Sequence, residues 1–141
     1  GTHSPTPSMK PQSAKNKGRK LQQKVVQSIL DTFPHLQPDD CFSTSMGAGG
    51  EDVRMSPLCR HSVPLSIECK CHERLNVWSC LEQATTNAPE GAHPCLIFSR
   101  NRAKTYAVVE WEYLLKLLST RGSEVPPQLA ALIRAAAALL P

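Results

Sequence analysis

The sequence predicts a mixed α/β fold, in which a mixed β-sheet is flanked by helices within a single domain. Two observations predict it. Segments with apolar residues at helical spacing alternate with short segments in which every second residue is apolar. Their order is α, then β-β-α-β-β, then α-α, and 141 residues suit one domain with its own core.

The first helix is predicted to begin near Gly18 and to end at Pro34. Its apolar stripe comprises Leu21, Val25, Val26, Ile29, Leu30 and Phe33. Residues 35–51 are polar and contain three glycines near their end. This predicts a loop that either bends sharply or passes close to a ligand. No Gly-Lys-Ser/Thr follows, so this is not a P-loop.

Strands are predicted at 52–56, 64–71, 95–99 and 105–111, and a turn at 59–63. The alternation in 64–71 places Leu65, Ile67, Cys69 and Cys71 on one face and Ser66, Glu68 and Lys70 on the other. A helix is predicted over 75–88, with Asn76 as its N-cap. A second helix is predicted to begin at Trp111 and to end at Gly122 as its C-cap, and a third to begin at about Pro127.

Charge divides the chain unevenly. The net charge is +4, yet residues 1–24 hold six bases and no acid, leaving ten bases and twelve acids in the rest. We expect residues 1–16 to be a disordered basic arm, with 1–8 vector-derived, 17–122 to be the domain, and 123–141 to be a C-terminal helix. A basic arm suits a polyanion such as nucleic acid.

The distribution of apolar residues argues against a membrane-spanning or a secreted protein. The longest apolar segment, 129–140, is too short to span a membrane and contains Arg134, so no membrane partner is expected. No signal peptide is visible, and the six cysteines are therefore expected to be reduced. We expect an intracellular, cytoplasmic protein (in the host cytoplasm if its source is viral).

Two carboxylates and a lysine in and before the strand at 64–71 indicate a candidate metal-binding catalytic site. Glu68 and Lys70 leave the same strand face about 7 Å apart. If Asp52 lies beside Glu68, two carboxylates and a lysine converge, and such pairs hold Mg²⁺ against phosphate oxygens. The alternative is a solvated strand edge with an ion pair.

This pattern resembles the PD-(D/E)XK nuclease signature: Gly-Gly-Glu-Asp52, a gap, then Ile-Glu68-Cys-Lys70. A preceding helix, a following helix with Gln83 and a strand–basic loop–strand unit extend the resemblance over about residues 17–118. It resembles the Holliday junction resolvase branch, particularly its small phage-type members, which are enzymes of DNA recombination and repair. The resemblance implies a restriction-endonuclease-like fold and a Mg²⁺-dependent DNA endonuclease in which Mn²⁺ can substitute.

The resemblance also implies roles. Asp52, Glu68 and the backbone carbonyl of Cys69 would bind metal, Lys70 would act on the attacking water, and Gln83 would support the site. Two departures are visible: no proline precedes Asp52, and the first helix has glutamines (Gln22, Gln23 and Gln27) where many members have a metal-binding glutamate. Glu51 is a weaker candidate ligand.

DNA contacts are predicted from two basic segments, namely Lys15, Lys17, Arg19, Lys20 and Lys24, and Arg100, Arg102 and Lys104 of the strand-connecting loop. A solubilising turn is the alternative for the loop. With two Trp, two Tyr and three Phe, base stacking is not expected, and Trp78 and Trp111 are assigned to the core.

Two further features keep alternatives open. The apolar C-terminal helix either docks on its own domain or forms a homodimer interface, as paired cuts in branched DNA require. Cys59, His61, Cys69, Cys71 and His72 could form a zinc cluster, although buried thiols are favoured. The functional alternatives are another PD-(D/E)XK nuclease (exonuclease, repair or restriction type), a non-catalytic nucleic-acid-binding module and a zinc-stabilised adaptor.

Overall fold

The computed structural model describes residues 11–45, 47–121 and 125–141 and confirms the mixed α/β class. The chain forms two compact units, Gly1–Val109 and Glu110–Pro141. The first unit holds both β-sheets and three helices, and the second holds two helices. The helix that starts at Trp111, which the sequence analysis assigns to the α/β domain, belongs to the second unit.

Helix α1 spans Pro11–Thr32 and begins earlier than the pattern predicts. Gly18 lies inside it, so the basic residues from Lys15 onward are helical. The apolar stripe is buried as expected: Leu21, Val25 and Ile29 pack against the sheet in the main core. Since the stripe covers one side of the helix, its basic residues remain on the flanks and the outer face.

Strands β1 (Cys41–Ser43) and β2 (Val53–Met55) form a two-stranded antiparallel sheet. The prediction of a loop throughout 35–51 is therefore wrong, because a 3-10 turn (Pro38–Asp40) and β1 lie within it. Three residues are too few to show an alternating pattern, and the pairing with β2 is what makes this segment a strand.

The turn predicted at 59–63 is also wrong, because helix α2 covers Pro57–Ser62. The local signal was present. Ser56 is the N-cap, its side chain accepts a hydrogen bond from the N–H of Cys59, and proline occupies the first helical position.

The second sheet has the order β3-β4-β5, with β3 at Leu65–Cys71, β4 at His93–Ser99 and β5 at Tyr106–Val109. Strands β3 and β4 are parallel and are joined by helix α3 (Val77–Asn87), whereas β4 and β5 are antiparallel. Helix α1 contacts β3, and α3 contacts both β3 and β4. Ser66 and Glu68 of β3 are consequently buried along with Ile67 and Cys69.

Asn76 is the N-cap of α3, as predicted, and accepts a hydrogen bond from the N–H of Ser79. The core assignment of the two tryptophans is wrong: Trp78 is 80% exposed and Trp111 is 62% exposed. Both belong to helices with another buried face, which is supplied by Cys80 and Ala84 in α3 and by Tyr113 in α4.

The second unit consists of α4 (Trp111–Thr120) and α5 (Pro127–Ala137). The predicted C-cap, Gly122, lies outside the described residues. Among the helices that the structure describes, none is long and apolar enough to cross a membrane.

A buried ion pair joins the start of β2 to α2. Glu51 is 4% exposed, and both of its carboxylate oxygens accept hydrogen bonds from the guanidinium of Arg60, at 2.7 and 2.9 Å. Arg60 also donates to the carbonyl oxygen of Leu65, at 2.6 Å. One side chain therefore ties α2 to the residue before Asp52 and to the start of β3.

We expect Arg60→Met to lower the free energy of unfolding by about 2 to 4 kcal/mol, because it leaves the Glu51 carboxylate buried without a partner. Urea denaturation measures this. The Glu51→Gln/Arg60→Met double variant is expected to recover part of the loss, whereas Arg121→Met, at an exposed arginine, should cost little. Equal losses for Arg60→Met and Arg121→Met would contradict this role.

Candidate functional site

Two hydrogen bonds attach the residue that precedes β2 to the outer edge of β3. The N–H of Asp52 donates to the carbonyl of Ile67 at 3.1 Å, and the N–H of Cys69 donates to the Asp52 carboxylate at 2.7 Å. The Asp52 side chain is thereby held beside the backbone that flanks Glu68. The sequence-based prediction required Asp52 to lie beside Glu68 for the two carboxylates to act together. The fold places them side by side.

Glu68 is the central buried acid of this site. It is 1% exposed, and one of its carboxylate oxygens accepts a hydrogen bond from the side-chain amide of Asn87 at 2.8 Å. Burial, together with the charge of the adjacent Asp52, raises the pKa of Glu68 from 4.5 to about 7, although Asn87 and Lys70 act in the opposite direction. The sequence predicted a cleft edge here; Glu68 instead lies under α3.

Cys69 and Lys70 complete the predicted motif. The N–H of Cys69 points toward Asp52, and in a strand the N–H and C=O of one residue point to the same edge. Its carbonyl therefore lies on the Asp52 side of β3. Lys70 is half-buried, and its ammonium is near enough to Glu68 to lower the pKa of that carboxyl.

Asp52 opens onto two clefts. One, of about 550 Å³, lies between the glycine-rich loop and α3, and we call it the α3 cleft. Each α3 residue that lines it lies three or four positions from another, so all five share a helix face: Ser79, Glu82, Gln83, Thr86 and Asn87. Gln83 is exposed on this face, so the structure brings it to the same cleft as Asp52.

The other cleft, of about 670 Å³, lies between Asp52 and α1, and we call it the α1 cleft. Lys15 and Arg19 line it, together with Gln22. Of the three first-helix glutamines named above, Gln22 shares this cleft with Asp52. Its side chain is an amide, which brings no charge to a metal.

The glycine-rich loop shapes both clefts by bending sharply, one of the two roles expected for its glycines. Gly50 has φ of +91°, a conformation that side-chain-bearing residues rarely adopt, and a Cβ there would approach the Arg54 guanidinium at 3.3 Å. Arg54 donates to the carbonyl of Gly49 at 2.7 Å and closes the loop.

The two predicted DNA-binding segments meet in the fold. Lys17 donates to the side-chain oxygen of Asn101 at 2.6 Å, and Lys24 donates to Thr105 at 3.4 Å, so one flank of α1 lies along the 100–105 loop. Arg100, Arg102 and Lys104 line a further cleft of about 610 Å³, the loop cleft. Lys20 is exposed on α1.

Sequence reasoning missed Asn87 and misread Glu51. Asn87 lies one helical turn after Gln83 on the α3 face, and that spacing is the signal that could have found it. Glu51 is not available as a metal ligand, because both of its oxygens are engaged by Arg60.

The cysteines support the buried-thiol interpretation over a zinc cluster. All six are free, and Cys59 and Cys69 belong to the core. Burial raises the pKa of both thiols, which disfavours the thiolate form that zinc requires. In the described ranges, no three His, Cys, Asp or Glu side chains are grouped so as to hold a metal ion.

No protein-family model, curated protein or solved structure matches this chain. The geometry of the site is therefore the basis for its function.

The donor set at Asp52 and Glu68 fits Mg²⁺ with few protein ligands. Mg²⁺ is commonly bound through one or two carboxylates, the remaining positions being filled by waters and substrate phosphates. Each carboxylate here uses one oxygen in a hydrogen bond to the protein, and the two acids repel each other when both are ionised. A divalent cation beside them would remove that repulsion.

In metal-free buffer, we expect Glu68→Gln to raise the free energy of unfolding at pH 8 by about 1 to 3 kcal/mol and to change it little at pH 4. The pKa of Glu68 is higher in the folded state, about 7 against 4.5, so folding favours the protonated form. Stability is therefore lost as the pH rises from about 4.5 to 7.

Chemical denaturation across this pH range measures the effect. Glu90→Gln, at an exposed glutamate, is the matched control and is expected to change the stability little at either pH. A Glu68→Gln effect independent of pH would show that the carboxyl does not titrate as described.

Proposed function

We propose that the protein is a Mg²⁺-dependent DNA endonuclease of the PD-(D/E)XK type that cuts branched DNA, as Holliday junction resolvases do. The observation that carries the proposal is the hydrogen bond from the Cys69 N–H to the Asp52 carboxylate. It holds this carboxylate beside the buried carboxyl of Glu68. A fold that needed only a stable strand here would have no use for two adjacent acids.

In this proposal Asp52, Glu68 and the Cys69 carbonyl hold the metal, with Mn²⁺ able to replace Mg²⁺. The metal, when bound, supplies a Lewis acid for the phosphodiester and lowers the pKa of a bound water. Lys70 orients or deprotonates the attacking water, or stabilises the charge that develops on the phosphate. Asn87 fixes the rotamer of Glu68 through its 2.8 Å hydrogen bond, and Gln83 faces the substrate from α3.

DNA would lie along α1. Lys15 and Arg19 line the same cleft as Asp52, and Lys17 and Lys24 on the opposite flank extend the positive surface to the 100–105 loop. Phosphates on both sides of a scissile bond can thus be contacted from one helix, with Arg100, Arg102 and Lys104 at the far end.

A homodimer would supply the second active site for paired cuts. Helices α4 and α5 favour it, because they leave many large apolar side chains exposed, including Leu114, Leu115, Leu118, Leu129, Leu132 and Ile133. Exposed apolar surface is typical of protein–protein interfaces, which supports placing the dimer contact here.

One observation favours a second candidate. A carboxyl that is 1% exposed and hydrogen-bonded to an amide can also serve as a neutral structural group, which suits a non-catalytic nucleic-acid-binding module. An exonuclease or a repair or restriction nuclease would use the same residues on linear DNA.

We expect the protein to make paired nicks in a labelled four-way junction with Mg²⁺ or Mn²⁺ and none with EDTA. Asp52→Asn, Glu68→Gln and Lys70→Ala are each expected to lower the cleavage rate at least about a hundredfold, since each removes a metal ligand or the group that acts on water. Linear duplex and single strand are run beside the junction, and Glu90→Gln serves as the active control.

The outcomes separate the candidates. Equal cutting of linear DNA would retain the nuclease and remove the branch preference. Binding of all three DNAs without cleavage under either metal would reject the nuclease and leave the binding module.

We expect Lys15→Ala and Arg19→Ala each to weaken binding to duplex and junction alike and to reduce the slope of log K against log salt by about one. Each removes one phosphate contact without affecting the acids. Fluorescence anisotropy over a salt series in EDTA measures both effects. Arg134→Ala, on α5, is the charge-matched control, and an equal effect there would count against the α1 surface.

A further inference from the structure

Two aromatic side chains are stacked at the far edge of the second sheet. The rings of Phe98 and Tyr106 have centroids 6.0 Å apart and planes inclined by 27°. They are directly paired neighbours on β4 and β5. Phe98 is half-buried and supports the other ring, whereas Tyr106 is 56% exposed. A large, rigid aromatic surface is thus held open to solvent.

This pair lies in the same cross-strand row as the proposed catalytic lysine. Lys70 is registered with Phe98, and Phe98 with Tyr106, so all three side chains leave the same face of the sheet. Two strand spacings separate the first from the last, about 10 Å. In duplex DNA that distance corresponds to about three nucleotides along one strand.

Three cationic residues share a cleft with the aromatic pair. Phe98 and Tyr106 line the loop cleft together with Arg100, Arg102 and Lys104. Glu73 also lines it, and its carboxylate accepts a hydrogen bond from the N–H of Asn101 at 3.2 Å, while Lys17 donates to the side chain of the same asparagine. Hydrogen bonds therefore join the loop to the turn that follows β3 and to α1.

We propose that the loop cleft is a subsite for an unpaired nucleotide, with its base stacked on Tyr106 and its phosphates held by Arg100, Arg102 and Lys104. Aromatic faces with adjacent cations are how proteins bind single-stranded nucleic acid. The inference rests on the proposed function in taking DNA as the ligand, and it adds a requirement for an extrahelical base near the cleaved phosphate. It departs from the expectation, drawn from the small number of aromatic residues, that base stacking is not used.

The test compares two oligonucleotides that have the same number of phosphates, of which only one has bases. Anisotropy in EDTA measures the affinity for a short thymidine oligonucleotide and for an abasic oligonucleotide of equal length. The wild-type protein is expected to bind the thymidine strand about tenfold more tightly. Tyr106→Ala should abolish that preference and leave abasic binding within about twofold, whereas Tyr106→Phe should retain it.

Phe42→Ala is the matched control, because Phe42 is a similarly exposed strand aromatic (51%) outside the loop cleft. Thermal melting checks that each variant is folded. Equal wild-type affinities, or a Tyr106→Ala loss shared by both ligands, would overturn the subsite while leaving the nuclease proposal intact. Failure to bind these strands and a four-way junction would overturn both.

Discussion

The site depends on one interaction, the hydrogen bond from the Cys69 N–H to the Asp52 carboxylate. Together with the bond from the Asp52 N–H to the Ile67 carbonyl, it attaches the two-stranded sheet to the free edge of β3. This attachment holds the Asp52 carboxylate beside the backbone that flanks Glu68. Asp52 in turn lines both the α1 cleft and the α3 cleft.

The arrangement is costly for stability. Glu68 is buried beside a second acid, and this burial raises its pKa to about 7, so the fold disfavours its charged form. The bidentate Glu51–Arg60 pair lies one residue before Asp52 and ties this part of the chain to α2. Buried acids whose charge the fold disfavours are typical of functional sites, where local stability is given up for chemistry.

Sequence patterns could predict those parts of the site that depend on residues close together in the chain. The alternation in β3 and the helical spacing of α1 and α3 are local, so the elements that carry Glu68, Lys70 and Gln83 could be placed from sequence. Strand β1 and helix α2 were missed, because three residues show no period and a six-residue helix shows little. The role of Asn87 depends on how α3 crosses the sheet, which no local pattern encodes.

By itself, the sequence determined the mixed α/β class, the main helices and strands and the segregation of positive charge, since these depend on residue type and short-range period. Only the tertiary structure decided which groups meet. It buried Glu68 under α3, engaged Glu51 with Arg60, set α1 along the 100–105 loop and stacked Phe98 on Tyr106. These contacts join residues distant in the chain, and their geometry is set by packing between elements rather than by any one segment.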